Sequence, residues 1–305
     1  MRLNILGSAA GGGFPQWNCA CANCNAVRSG KFPGKARSQT EVAVSPDGSS
    51  WLLLGASPDL RLQIESNPEL HPSRGLRSSP ITGVLLASAE LDHVLGLLVL
   101  RELQSFHVWA TTRVIEILRN ENSIFRVLNR VDKQVYWNSI HPGKKFPLQA
   151  PDGRDCGISC RAIALSSRLP AYATNESPTT DAVLGFVLES STGKTVGFFP
   201  QLPALTAELR TLFGTLDCVL LDGTFWSNDE LIQLQGFGQT AREMGHIPVG
   251  GEDGTLLTLS ALSKPRKLYI HINNTNPMLN EQSQQYRTVR EMGWELAEDG
   301  WQTNL

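Results

Sequence analysis

Short apolar runs broken by Gly, Pro and Ser dominate the chain, a pattern that suits strands better than long helices. Leu3–Leu6 reads as a first strand. Thr40–Val44 and Trp51–Leu54 flank Ser45-Pro46-Asp47-Gly48, a turn-forming sequence, and predict a hairpin. Ile81–Ala87 predicts an apolar strand, followed by a Leu- and Val-rich helix over Asp92–Gln104 and further helix over Arg113–Leu118 and Asn122–Leu128. A second strand-rich block begins near Ile158, with candidate strands at Ile158–Leu165, Ala182–Leu188 and Thr195–Phe199 and a turn over Ser190–Gly193. Beyond it, Thr206–Phe213 predicts a helix with Pro203 just ahead of it, Cys218–Leu221 and Lys267–Ile270 predict strands, and Gln282–Met292 predicts a helix. The order strands, helices, strands, helices implies an α/β chain of two similar halves, with facing sheets and helices outside.

Composition narrows the class. Of 305 residues, 41% are hydrophobic and 18% charged, enough for a sizeable core and too apolar for an intrinsically disordered chain. The length allows two domains, but no low-complexity linker or strong repeat marks a boundary, so one domain over residues 1–305 is expected. Lys plus Arg is 27 and Asp plus Glu is 29, a net charge of -2, so no nucleic-acid partner is expected. The longest apolar candidate, Val94–Leu100, falls well short of the roughly 18 residues that cross a bilayer, so no membrane insertion is expected. Met1-Arg2 leads into Leu3–Leu6 and a Gly/Ala stretch without the long apolar segment of an export signal. A cytoplasmic location is therefore expected, where thiols stay reduced and clustered cysteines bind metal rather than cross-link.

Cys19-Ala20-Cys21-Ala22-Asn23-Cys24 is such a cluster. Three thiolates at this spacing can wrap one ion, and tetrahedral Zn²⁺ then needs a fourth ligand from elsewhere. The expectation is a structural zinc in a small loop near residues 11–25. Cys156, Cys160 and Cys218 lie in or beside apolar strands and are expected to be buried packing residues. Gly11-Gly12-Gly13 lacks the Lys-Ser/Thr helix start of a phosphate loop and is expected to give a tight backbone path beside the metal site.

The strongest chemical signal is Ser88-Ala89-Glu90-Leu91-Asp92-His93, where the Ile81–Ala87 strand gives way to helix. Asp222 follows the run Cys218–Leu221, and His271 follows Lys267–Ile270. One polar residue at a strand end is usually a cap or a turn. Ligand types at three strand ends, one an Asp-His pair, point to a metal site.

These residues resemble the metallo-β-lactamase superfamily. Ser88–His93 is similar to its H-x-H-x-D-H signature with both leading histidines replaced, Leu221–Phe225 resembles its bridging-aspartate segment, and His271 matches its last histidine. Leu54–Leu60 is similar to the L-D-x-G-P-D-L segment of related phosphodiesterases. Gly11–Cys19, Met244–Pro248 and His271–Pro277 resemble a branch that serves the making of pyrroloquinoline quinone. The resemblance runs through nearly the whole chain and implies a four-layer αββα sandwich.

The departures from that pattern shape the expected chemistry. The resemblance places first-site metal ligands at Ser88, Glu90 and either Ser166 or Ser167, none a histidine, and places Gly55 where the hydrolases carry aspartate. It leaves Asp92, His93, Asp222 and His271 for a single second-site ion. Two histidines and one or two carboxylates with open positions suit non-haem Fe(II), and also accept Zn²⁺ or Mn²⁺. The resemblance implies an iron-dependent hydroxylase that oxygenates the tyrosine ring of a Glu–Tyr-derived precursor. Its expected partners are a small peptide-derived, tyrosine-containing substrate, dioxygen and other proteins of that pathway. Glu90 is a candidate metal or proton-transfer group, and His246 a candidate acid/base or substrate contact. Asn274, three residues past His271, lies near the place where phosphodiesterase relatives supply a fourth zinc ligand. His71, His107 and His141 are expected to be surface or packing residues. Two rival functions remain open: a hydrolase working through one metal-bound water, and a carrier of the quinone or its precursor toward the periplasm.

Overall fold

A computed structural model describes residues 1–73, 75–175 and 178–305. The chain divides into two compact units, one of residues 1–7, 41–195 and 300–305, the other of residues 8–40 and 196–299.

The first unit contains a mixed seven-stranded sheet. Its strands, in chain order, are β1 (Arg2–Gly7), β2 (Glu41–Ser45), β3 (Trp51–Leu54), β4 (Ile81–Leu85), β5 (Phe106–Ala110) and β6 (Val135–Ser139), with the C-terminal Gln302–Asn304 as an edge. The predicted hairpin forms, β2 pairing antiparallel to β3 with Ala43 opposite Leu53, whereas β3, β4, β5 and β6 run parallel. The same unit carries the antiparallel ladder β7 (Lys145–Gln149), β8 (Asp155–Ser166) and β9 (Val183–Ser190). Trp51, Leu53, Val84, Leu86, Val94, Leu97, Val108 and Ile117 are among the buried side chains of its core. At the predicted turn Ser190–Gly193, Gly193 adopts φ +78° and donates to Ser190 O at 2.9 Å.

The second unit is built on four parallel strands, β10 (Thr195–Phe199), β11 (Cys218–Asp222), β12 (Arg266–Ile270) and β13 (Glu295–Leu296). Cys218–Asp222 is buried throughout, as expected of a strand covered on both faces. Tyr269 stacks on Trp294 at 4.3 Å, and Phe199 meets Phe213 edge-on at 4.8 Å.

Three helical expectations change. The segment expected as one helix over Asp92–Gln104 is a single α turn, Leu91–Val94, followed by 3₁₀ geometry over Leu95–Arg101. Gly96 explains the break. Its N–H bonds to Ala56 O at 2.8 Å instead of joining the helix ladder, and a Cβ there would lie 2.3 Å from Ser57 O. Arg113–Leu118 begins as α-helix (Thr112–Glu116) and widens into a π turn, and Asn122–Leu128 is 3₁₀ over Ser123–Asn129. The helix expected at Gln282–Met292 spans Gln284–Glu291, capped by the Ser283 hydroxyl, which accepts from Tyr286 N. β5, β6 and β7 were not expected. They are short, and β7 contains Pro147, which a strand edge tolerates.

Glu41 lies fully buried beside the end of β3, and its Oε2 accepts from Ser57 N at 2.7 Å. Burial pushes its carboxyl up to about 8. A raised carboxyl stabilises the fold while protonated, so its contribution is complete below the unfolded value and is lost as pH rises through about 8. Denaturant titrations should therefore show unfolding free energy falling between pH 5 and 8 by up to about 1.4 kcal/mol per pH unit. Glu41→Gln should flatten that slope; an unchanged slope would place the pH dependence elsewhere.

Candidate metal centres

In the first unit the strand-to-helix junction after β4 is locked by its own backbone. His93 N donates to Glu90 O at 2.9 Å, and Ala56 N donates to His93 O at 2.8 Å. Tyr172 Oη donates to Ala89 O. Ser88 Oγ lies 2.8 Å from His93 Nδ1 and accepts from Glu90 N at 3.2 Å. The serine at a position where a ligand histidine was sought thus orients the neighbouring histidine. His93 is buried, while Glu90 and Asp92 are partly exposed. Ser166, at the end of β8, and Ser167 bring no imidazole.

The second unit brings Asp222, His246 and His271 together, with ligand-type atoms within 4.8 Å of one another. Asp222 ends β11 with no solvent exposure. Its Oδ1 accepts from Thr224 N at 3.0 Å and Thr224 Oγ1 at 2.7 Å, and its Oδ2 accepts from Leu202 N at 2.8 Å. His246 Nδ1 lies 2.7 Å from the same Oδ2. Burial alone would raise this carboxyl, but His246, His271 and the Thr224 hydroxyl hold it below the usual carboxylate range. Thr224 Oγ1 also lies 2.9 Å from His271 Nδ1 and 2.9 Å from His271 O. The rings of His246 and His271 stack at 5.6 Å. His271 sits at φ +58°, a left-handed conformation that costs a non-glycine residue about 1 kcal/mol and has to be held by its surroundings.

Three of those holding bonds are made by the two residues that follow it. Ile272 N donates to Ser8 O at 3.0 Å, Ala10 N to Ile272 O at 2.9 Å, and Asn273 N to Thr224 O at 3.0 Å. The Gly11–Gly13 turn follows directly, with Gly12 and Gly13 both at positive φ and Gly13 N bonded to Ala10 O, the tight path that was expected.

The cysteine cluster also forms in the second unit. Cys21 caps the short helix Ala22–Arg28, its sulfur accepting from Cys24 N, and the three sulfurs converge within 4.8 Å. Burial pushes the Cys21 thiol up to about 11. For Cys19, burial is outweighed by the hydrogen bonds it receives, from Cys21 N first, and its thiol falls below the ordinary value. Asn274, itself buried, places its amide 3.1 Å from Cys19 Sγ, 3.7 Å from Cys21 Sγ and 3.3 Å from Cys24 Sγ. Three sulfurs and one amide around a common point make a donor set that fits a single tetrahedral ion, the amide oxygen replacing the nitrogen on a half-turn of the side chain.

Several participants went unnoticed in the sequence. Thr224 was read only as part of a motif, and nothing local marks its hydroxyl as a hub. Asn23, between two cysteines, donates to Asn274 O at 3.1 Å and to Asn276 O at 3.3 Å. Glu230 is buried and accepts from Thr275 Oγ1 at 2.5 Å and from Trp226 N at 2.7 Å, burial pushing it up to about 7. The remaining cysteines and histidines behave as expected. Cys156, Cys160 and Cys218 are buried, and His107 stacks on Trp109 and Tyr136. His71 bonds the Glu65 carbonyl and His141 is exposed.

The family model described as the beta-lactamase superfamily domain matches residues 50–272. "Coenzyme PQQ synthesis protein B" of Acinetobacter baumannii (strain ACICU) is 38% identical over 307 residues, covering 100% of both chains. The same-named protein of Azotobacter vinelandii is 39% identical over 307 residues, again covering 100% of both. The crystal structure of Zn(2+)-bound PqqB from Methylobacterium extorquens superposes with a TM-score of 0.91 at 38% identity over 100% of both chains. This chain belongs to the coenzyme PQQ synthesis protein B family. Its fold is the metallo-β-lactamase fold, an α/β sandwich of two mixed sheets with helices. A diphosphatase from the PhnP family shares that fold at TM-score 0.67 and 19% identity, covering 100% of this chain and 97% of the other. Among the described residues no helix is long and apolar enough to cross a membrane.

The Thr224 hydroxyl satisfies a carboxylate with no access to water, so Thr224→Val should lower unfolding free energy by about 1–3 kcal/mol, read by urea denaturation. Thr224→Ser keeps the hydroxyl and should recover most of that loss. A parent-like Thr224→Val beside a destabilised Thr224→Ser would instead assign the effect to packing of the methyl group.

Proposed function

We propose that this protein acts in pyrroloquinoline quinone biosynthesis as a single-metal, iron-dependent hydroxylase of a tyrosine ring in a Glu–Tyr-derived precursor. The name of its full-length relatives supports the pathway. The observation that carries the reaction class is the selective survival of ligands. Asp92, His93, Asp222 and His271 are all present, whereas Ser88, Glu90 and Ser166 or Ser167 replace the histidines of a two-metal clamp.

In this reading Asp92, His93 and His271 hold the ion, with Asp222 as a further ligand or hydrogen-bond partner. An Fe(II) ion bound there supplies the redox chemistry that couples dioxygen to a phenol ring. The protein's own part is orientation and proton handling. Ser88 holds His93 through Nδ1, and Thr224 holds His271 through Nδ1, which would leave Nε2 of each ring as the ligand atom. Asp222 holds Nδ1 of His246 and leaves Nε2 of that ring to exchange a proton with substrate. Glu90, partly exposed at the strand end, accepts the phenol proton. Overall, one oxygen atom enters a ring C–H bond to give a hydroxyl and the other leaves as water, with two electrons and two protons drawn from a reductant. Cys19, Cys21 and Cys24, with Asn274 as fourth ligand, hold a structural Zn²⁺.

The test is anaerobic reconstitution with Fe(II), addition of a tyrosine-containing substrate, admission of oxygen, and measurement of oxygen uptake and product mass. Ring oxygenation matching oxygen uptake is the expected result. Cleavage without oxygen use would replace this reading with a single-metal hydrolase, and stoichiometric binding without turnover would replace it with a carrier.

Substitutions separate the two metal roles. His93→Ala and His271→Ala should abolish turnover and active-site metal while keeping zinc and fold. Cys21→Ser should lose zinc and lower the melting temperature, because a structural ion contributes directly to folding. Metal analysis with thermal melts checks both, and an identical outcome for the two sets would refute the division.

A further inference from the structure

The loop from His271 to Asn276 serves both donor sets of the second unit. His271 stands at its start. Asn274, three residues on, reaches all three cysteine sulfurs. The backbone at and beyond Asn274 is tied to the cysteine helix, because the Asn23 amide donates to the carbonyls of Asn274 and Asn276. Asn276 in turn donates to Gly223 O at 3.0 Å and Thr224 O at 3.3 Å, which returns the loop to the segment that holds His271 Nδ1. Asn273, Asn274 and Thr275 face a cavity of about 600 Å³ that Leu234 and Phe237 also line. Cys19 and Cys21 line the same cavity, and the Asn23 hydrogen bonds tie the loop down beside it. Inward, the Glu230 carboxylate takes the Thr275 hydroxyl, and that hydroxyl accepts from Asn273 Nδ2 at 2.6 Å.

We propose that the cysteine site is a positioning device for His271: an ion among Cys19, Cys21, Cys24 and Asn274 fixes the loop, and Asn23 transmits that constraint to the histidine. The physical reason is the backbone of His271. Its φ of +58° is held only as long as the following residues keep their path. Three residues of hydrogen-bonded chain cannot absorb a shift at Asn274 without passing part of it to His271. The inference rests on the reading of His271 as a ligand of the active-site ion.

Reciprocity follows, since coupling between two binding sites is symmetric in free energy. Filling the active site should slow the release of zinc from the cysteines.

Asn23→Ala tests the link without touching a sulfur or the Asn274 amide. The full-length protein is loaded with one Zn²⁺ per chain and then titrated anaerobically with Co²⁺, read by its visible absorption, with zinc content measured alongside. A chromogenic chelator then reports the zinc release rate with and without Co²⁺. Asn23→Ala should keep its zinc and melting temperature near those of the parent while binding Co²⁺ about tenfold more weakly, the scale typical of lost ligand-orienting contacts. Co²⁺ should slow zinc release in the parent and do so less in the variant. Co²⁺ affinity within twofold of the parent, with His271→Ala still abolishing Co²⁺ binding, would overturn the coupling alone. Parent-like Co²⁺ binding by His271→Ala would instead overturn the ligand assignment and the coupling with it. Should Asn23→Ala unfold, Asn23→Ser and Thr275→Val, which loosen the same loop from opposite sides, are read by the same criteria.

Discussion

A charge is buried at the end of β11, and the second unit is arranged around satisfying it. Asp222 has no exposure to water, so each of its oxygens has to be met by protein donors. Those donors come from three separate places: the backbone of Leu202, the backbone and hydroxyl of Thr224, and the ring of His246. Each donor pins its own segment to the strand end. The loop after β10, the turn after β11 and the His246 segment are thereby gathered at the carboxyl edge of a parallel sheet, where α/β folds place their ligands. The orientation of His271 follows from the same bonds, because the hydroxyl that meets Asp222 also reaches His271 Nδ1 and its carbonyl.

In the first unit, the position that the resemblance matches to a ligand histidine holds a serine that keeps local order. Ser88 is too poor a ligand to replace histidine, yet its hydroxyl fixes the ring of His93 five residues on. Gly55 offers a second exchange. The resemblance places an aspartate there. Instead, the Glu41 carboxylate is delivered from the neighbouring strand, with both of its oxygens 3.8 Å from where a Gly55 side chain would begin. Gly55 adopts φ +122°, which an aspartate would tolerate poorly, so the exchange suits both positions. A carboxyl remains in that corner, but buried and bonded to Ser57 N rather than offered to a metal.

Much of this was legible from the order of residues. The strand Cys218–Asp222 declares itself because burial on both faces leaves the apolar run Cys218–Leu221. The polar residue that ends that run marks the site for the same reason. What escaped notice depends on the fold rather than on pattern. Asp92–Gln104 carries the composition of a helix, but the N–H of Gly96 bonds to Ala56, far away in sequence, and the ladder breaks. Lys145–Gln149 alternates, with Phe146 and Leu148 two apart, but it is short and carries Pro147, which weakens the strand signal until β8 pairs with it. Thr224, Asn23 and Glu230 are ordinary polar residues until their partners, 47, 251 and 45 positions away, arrive beside them.

The two donor sets differ in softness, and that difference bears on which metal each takes. Thiolates favour zinc strongly, whereas carboxylate and imidazole sites accept several divalent ions. At such a mixed site the Irving–Williams order places Zn²⁺ above Fe²⁺, so intrinsic affinity cannot select iron there. Selection then has to come from supply in the cell and from geometry, which rewards an open coordination sphere over a closed tetrahedron. The cysteine cluster has the opposite character: three sulfurs and the buried amide of Asn274 supply four donors around one point, the full set of a tetrahedral ion. A zinc ion found in a member of this family is therefore fully compatible with redox chemistry at a separate carboxylate–imidazole set. The mere presence of zinc in such a protein therefore does not decide the reaction class.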